Sequence, residues 1–424
     1  MRICVASIYG EGLWLAWKMA HEGHDVSAVV AEERYAEALK GLIRVMPGSE
    51  VYEASKYDLV VLDTTGMGET ADQAQTETPT IGDSSLADQL EEDRLFGLEL
   101  MARCGLQVAP WEAFDNPADA IRFIKKRKAR LVFKPIGEQS DKSTTYVSRS
   151  AEDMLDYFDV LFRTAKVKEF ILQEHVAGTE VSLEAYINET GYYALNATLE
   201  TKKLMNGDLG PNTGCSGSLC WMIERENALF EKGLKKCIEP LQEMGYVGPL
   251  DLNTIVNDSG VWALEFTPRF GYDATALLTR LLPVSFGDFL HAIASGTSVS
   301  EDLTAKHSFC ASVRLSIPPY PAEMLPNKCY KAGVPINGLT EKNLDKFFVY
   351  DCRKRAEEGD DLETAGLCGW VGSPLAVGET PGAAFQGAYS MLKEVRVPNG
   401  QYRTDVLSNT AKRYQELYDA GMLR

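Results

Sequence analysis

Two stretches of this 424-residue chain carry side chains suited to phosphate chemistry. In the first, Asp251, Asn253, Glu265, Thr267 and Arg269 fall on two runs, Pro249 to Val256 and Val261 to Gly271, joined by Asn257-Asp258-Ser259-Gly260. Alternating apolar runs around turn residues read as a β-hairpin. A three-residue loop, Asp258-Ser259-Gly260, with a left-handed Gly260 sets Asn253 opposite Glu265 and Asp251 opposite Thr267. The five polar residues then share one face, with Leu252, Leu264 and Phe266 on the other. Carboxylate, amide and hydroxyl oxygens on paired strands make a cradle for Mg2+ on nucleotide phosphates, and Arg269 is a forked anion donor beside it. A half-solvated hairpin with a merely polar outer face gives the same pattern.

In the second stretch, Lys134 ends the apolar run Leu131 to Pro135, and Lys142 precedes the returning run Thr144 to Val147. Two lysines around a polar loop suit phosphate oxygens, although edge lysines also serve as solvated charges that block aggregation. Further on, Lys202 and Lys203 lead into Gly207-Asp208-Leu209-Gly210-Pro211-Asn212-Thr213-Gly214. That run is too rich in turn residues for a regular element, and its backbone N–H groups suit an anion or a polar substrate. Gly10-Glu11-Gly12 is a weaker signal. It places N–H groups at a helix start, but lacks the third glycine of a dinucleotide fingerprint.

The elements that hold these groups follow from periodicity. Arg2 to Ile8, Val26 to Val30 and Tyr57 to Asp63 read as strands, with helices over Leu13 to His21 and Glu32 to Leu39, a small parallel βαβ sheet. Asp88 to Arg103 is expected as one helix bearing Arg94, and Asn116-Pro117 opens another. Phe170 to Val176, Glu180 to Ile187 and Tyr192 to Leu199 are strands, and Arg225 to Met244 is one long helix. The expected organisation is an α/β and α+β chain in three parts. Residues 1–85 form a Rossmann-like domain and 86–302 a central domain with a lid over about 120–185. Residues 303–424 form a small α+β domain of antiparallel sheet with helices on one side.

Composition bounds the function. A formal charge of −18 argues against general nucleic-acid binding and against a membrane surface. No apolar run reaches a membrane span, and nine scattered cysteines without a CxxC suit reduced thiols in a cytoplasm.

In order along the chain, these motifs resemble the ATP-grasp superfamily, most closely phosphoribosylamine–glycine ligases. Gly207 to Gly214 looks like that family's GDxGPNTG loop, Glu265 to Gly271 resembles EFNxRFG, and Tyr402-Arg403-Thr404-Asp405 is similar to its closing YRxDIG. The resemblance implies ATP and Mg2+ (or Mn2+) as cofactors. It implies that Arg94, Lys134 and Lys142 hold phosphates, that Gln173, Glu174 and Val176 read adenine, and that Glu180 holds the ribose. Glu265 with Asp251, Asn253 or Thr267 would bind metal, and Arg269 and Lys202 would serve the chemistry. Gly10, Gly12, Asp208, Pro211, Asn212, Thr213 and Gly214 would line the substrate site. The implied reaction joins a carboxylate to an amine through an acylphosphate, with small-molecule acid and amine partners in a monomer or homodimer. Four departures stand out. The family's GxGGREHAL turn has lost its arginine here and Trp14 fills space, Glu138-Gln139-Ser140-Asp141 replaces a glycine-rich lid loop, Thr267 replaces asparagine, and Cys215-Ser216-Gly217-Ser218 replaces GMGA. The expectation is therefore a ligase for an amino acid, such as glycine, and an amine other than phosphoribosylamine. A divergent phosphoribosylamine–glycine ligase and an inactive nucleotide-binding protein are the alternatives.

Overall fold

The computed structural model describes residues 1–47, 53–136, 145–164, 167–300, 303, 305, 307–321, 332–356 and 359–423. Lys142 and the acidic loop Glu138 to Asp141 lie outside the described residues. Residues 2–81 form the expected parallel sheet, in the order Arg44–Pro47, Asp25–Val30, Arg2–Ser7, Leu59–Leu62, Thr80–Ile81. The order reverses between Arg2–Ser7 and Leu59–Leu62. Helix Leu13–His21 packs here through Leu13, Trp14, Leu15, Ala16, Trp17 and Met19. The helix expected over Glu32 to Leu39 is only a 3-10 turn, Glu33–Glu37, because none of its residues is buried.

A second, four-stranded antiparallel sheet is ordered Trp111–Phe114, Glu169–Glu174, Leu131–Ile136, Tyr146–Val147. Helices Pro117–Arg127 and Ala151–Thr164 cover it. Asn116 caps the first by accepting from the Ala118 amide at 2.9 Å. Phe133, Phe158, Phe170, Ile124 and Met154 give this lid its own core, separate from the main one.

The third sheet has eight strands and carries Glu180, Lys202, Asp251, Asn253, Glu265 and Thr267. Its middle is Leu209–Met222, Gly191–Met205, Thr179–Asn188, Gly248–Asn257 and Gly260–Thr267, all antiparallel neighbours. The hairpin pairs Asn253 with Glu265 and Asp251 with Thr267, as expected, but by a different route. Asn257 pairs with Gly260, leaving a two-residue turn, and a bulge at Leu264 restores the register. Leu264 is consequently half-buried and not a core residue.

Three more expectations yield to local chemistry. The helix expected over Asp88 to Arg103 is two, Ser85–Glu92 and Arg94–Arg103, because Asp93 accepts from the Phe96 amide at 3.0 Å and caps the second. The long helix Arg225 to Met244 breaks at Gly233, where a Cβ would stand 2.7 Å from Leu183 Cδ1. The run Gly207 to Gly214 is the tip of a hairpin, with Lys203 paired to Asn212 and Met205 to Leu209. After residue 303, strands Phe309–Val313 and Ala376–Gly378 join the central sheet, while two small antiparallel sheets stand apart from it, ordered Leu315–Ser316, Trp370–Pro374, Phe347–Val349 and Pro335–Ile336, Leu362–Glu363, Arg353–Lys354.

Candidate active site

Cations and carboxylates converge where the lid meets the central sheet. Arg94 opens its helix and donates from Nε to the Pro135 carbonyl at 3.2 Å, tying it to the end of the lid strand that bears Lys134. Arg94 Nη1 stands 3.7 Å from Glu265 Oε2 on the hairpin. Lys134 is buried, and burial first, then the charges of Arg94 and Lys202, pull its ammonium down to about 8 against the pull of Glu265 and Glu180. Lys202 forms an ion pair with Glu180. Burial acts to lower its pKa, but Glu180 and Glu200 outweigh that and raise it. Expected residues from five elements thus meet: Arg94, Lys134, Glu180, Lys202 and Glu265.

Gln173 and Glu174 sit on the lid strand, and both side chains are engaged. Gln173 Nε2 donates to the Ala109 carbonyl at 3.2 Å, and Glu174 is ion-paired with Arg127. The Glu174 amide donates to the Pro110 carbonyl at 2.8 Å. Val176 is half-buried in the following turn.

On the hairpin, Ser182 Oγ donates to Asn253 Oδ1 at 2.9 Å and Asn253 Nδ2 donates to Thr267 Oγ1 at 3.2 Å. Asp251 Oδ1 is a buried oxygen with no hydrogen-bond partner. Burial, reinforced by Glu184 and Glu200, holds its carboxyl well above the usual range. Among the described residues no three His, Cys, Asp or Glu side chains form a closed metal cage. That donor set fits Mg2+ on a nucleotide, which keeps waters and phosphate oxygens and takes only one or two protein carboxylates. Glu265 is the half-exposed carboxylate, and Asp251, two positions along the paired strands, supplies an orphaned acceptor.

Arg269 binds Glu91 through Nε, at 3.2 and 3.1 Å. Burial acts to lower its pKa, but Glu91 reverses that, so the guanidinium stays charged. Next to it lies the first turn. Gly12 N–H and Ser7 Oγ both donate to Asp63 Oδ2 at 2.6 Å, and Ser7 Oγ accepts from Gly10 N–H at 2.7 Å. The expectation that Trp14 fills this substrate space is corrected. Its indole is fully buried, donates to the Leu344 carbonyl at 3.1 Å and packs on Phe348.

The hairpin tip serves the C-terminal region. Asp208 is bound by Arg403 and Asn409, each at 2.9 Å, while Pro211, Asn212 and Gly214 are exposed. Thr213 turns inward. Its hydroxyl donates to the Lys202 carbonyl at 3.0 Å and its carbonyl accepts from Arg314 at 2.9 Å. A cavity of about 300 Å³ opens here, lined by Asn206, Ser216, Arg314, Tyr320 and Arg403 among others. A larger hollow, about 820 Å³ around Gln107, Lys236 and Gly260, holds none of these groups. Sequence reasoning missed Asp63, Glu91, Glu200 and Arg314. Asp63, directly after an apolar strand, was the legible one; the others are single charges inside otherwise ordinary runs.

Residues 92–275 match the ATP-grasp (A) domain of phosphoribosylglycinamide synthetase. The chain is 26% identical over 339 residues to a phosphoribosylamine–glycine ligase of Rhizobium meliloti, covering 78% of each. A phosphoribosylamine–glycine ligase from Thermotoga maritima has the same fold, with a TM-score of 0.73 and 22% identity over 96% of this chain and all of that one. So does the biotin carboxylase domain of a Hydrogenobacter thermophilus 2-oxoglutarate carboxylase, solved with ADP and its magnesium salt (TM-score 0.66, 12% identity, 99% and 97% covered).

Proposed function

We propose that this chain, an ATP-grasp protein of the phosphoribosylglycinamide synthetase kind, joins an amino acid such as glycine to an amine at the expense of ATP. Its kinship is with ATP-dependent ligases that form C–N bonds. The observation that carries the reading is the meeting of Arg94, Lys134, Lys202 and Glu265 between lid and sheet. An oxygen of the acid attacks the γ-phosphorus, the bond to the β-phosphate oxygen breaks, and ADP leaves. The amine nitrogen then attacks the acyl carbon, the C–O bond to phosphate breaks, and phosphate and a proton leave. Glu265, with Asp251, would hold Mg2+, which would neutralise phosphate charge. Arg94 and Lys134 hold and orient them, Lys202 stays charged beside Glu180, and Arg269 faces the developing anion. The lid core lets that sheet move as a unit over the nucleotide and exclude water from the acylphosphate.

The acceptor has two readings. Relatives spanning 78% of the chain are named phosphoribosylamine–glycine ligases, which supports phosphoribosylamine. The rebuilt first turn supports another amine. The test is ADP release from Mg-ATP and glycine with phosphoribosylamine or with other amines. ADP that depends on an amine other than phosphoribosylamine supports the favoured reading; dependence on phosphoribosylamine alone supports the second.

A further inference from the structure

In an open parallel sheet, ligands settle outside the carboxyl ends of the strands where the strand order reverses. Here that point lies between Arg2–Ser7 and Leu59–Leu62, and the turn Gly10 to Gly12 and Asp63 follow those two strands. A glycine turn opening a helix is a ready anion site, because its N–H groups and the helix dipole favour negative charge. In this chain a protein carboxylate already fills it. Asp63 Oδ2 takes the Gly12 N–H and the Ser7 hydroxyl, both at 2.6 Å. The turn and the carboxylate are in close contact on that side, since a Cβ on Gly12 would stand 2.4 Å from Asp63 Cβ.

Two further features decide what the crevice accepts. Asp63 is fully buried, yet its second oxygen, Oδ1, has no hydrogen-bond partner, so a donor is wanted there. The turn contributes one more charge, Glu11, whose field reaches Asp63, Arg269 and Tyr272. Arg269, the cation whose charge acts on Asp63, is itself bound to Glu91. We propose that Asp63, with Glu11 beside it, bars phosphate from this crevice and receives the ammonium group of a non-phosphorylated amine. The inference rests on the ligase reading and gives the class of its acceptor. Asp63 acts as a specificity determinant, by occupying the anion position and presenting Oδ1.

A matched pair of probes tests this: ethanolamine and O-phosphoethanolamine differ only by the phosphate. Binding of each is measured calorimetrically to the wild type, Asp63→Ala and Glu11→Gln, with ATP titrated into the same samples. The wild type should prefer ethanolamine by at least about tenfold. Asp63→Ala frees the Gly12 N–H and should reverse the preference. Glu11→Gln, which leaves the Asp63 hydrogen bonds intact, should weaken ethanolamine binding severalfold even if the alanine variant does not fold. Equal binding, preference for the phosphate ester or no ethanolamine binding overturns the inference. Loss of ATP binding in the wild type would instead overturn the ligase reading, so the two failures are distinguishable.

Discussion

Arg94 Nη1 and Glu265 Oε2 stand 3.7 Å apart, joining the first turn of a helix to a strand 171 positions later. In the proposed site Arg94 would hold phosphate and Glu265 would hold the metal, and without Mg-ATP the two charges face each other. Removing the carboxylate would take away the proposed metal donor and leave Arg94 buried without that partner. Glu265→Ala should lower Mg2+-dependent ADP release at least about a hundredfold. Turnover within twofold of the wild type would remove the metal assignment.

In the proposed phosphate site, Lys134 should make ATP affinity depend on pH. Its ammonium is held down to about 8, mainly by burial. Below that pH the ligand-free protein already carries the charge, and above it the triphosphate must bring a proton back. ATP affinity should be flat below about pH 7 and fall by up to ~tenfold per unit above about 8. Lys134→Arg should flatten the decline, and Lys134→Ala should weaken binding throughout. Equilibrium titrations with a fluorescent ATP analogue check this, and a flat wild-type profile would contradict it.

Glu184 predicts a different pH response, in stability. It is buried, accepts one hydrogen bond from Asn196 Nδ2 at 2.9 Å, and burial pushes its carboxyl up to about 7. A carboxyl whose folded pKa exceeds its unfolded value holds its proton more firmly when folded. Its contribution is therefore present at low pH and is lost as pH rises from about 4.5 to 7, amounting to about 3 kcal/mol. Glu184→Gln should remove that part of the decline and make the protein relatively more stable at pH 8. Urea unfolding at pH 5 and pH 8 measures it.

Much of this site was legible because strand alternation fixes which side chains share a face. Asp251, Asn253, Glu265 and Thr267 were placed opposite one another correctly, although the turn was one residue too long. The bulge at Leu264 compensated, and nothing in the local sequence announces a bulge. Where tertiary contact decides, the sequence was silent. Gly233 leaves the helical conformation where Leu183 packs against it, and Trp14 turns toward Leu344 across 330 positions. The run Gly207 to Gly214 looked irregular because its composition is that of turns, yet pairing with the preceding strand carries it as a hairpin. Asp63 read as the end of a strand, and its role depends on a glycine 51 positions earlier.

Thr267 tests the proposed metal site. Its hydroxyl accepts from Asn253 at 3.2 Å, a bond that an asparagine carbonyl also makes. Thr267→Asn should give activity equal to or above the wild type. A tenfold loss would show that the neighbouring side chains are arranged around threonine.

The central claim is an acylphosphate made from ATP, and trapping it with hydroxylamine tests that most directly. With Mg-ATP, glycine and hydroxylamine, the protein should form glycine hydroxamate in step with ADP, and Glu265→Ala should form neither. ADP without hydroxamate across the amino acids would describe an ATPase, and no ADP with any of them would describe a nucleotide-binding protein; either result would contradict the account.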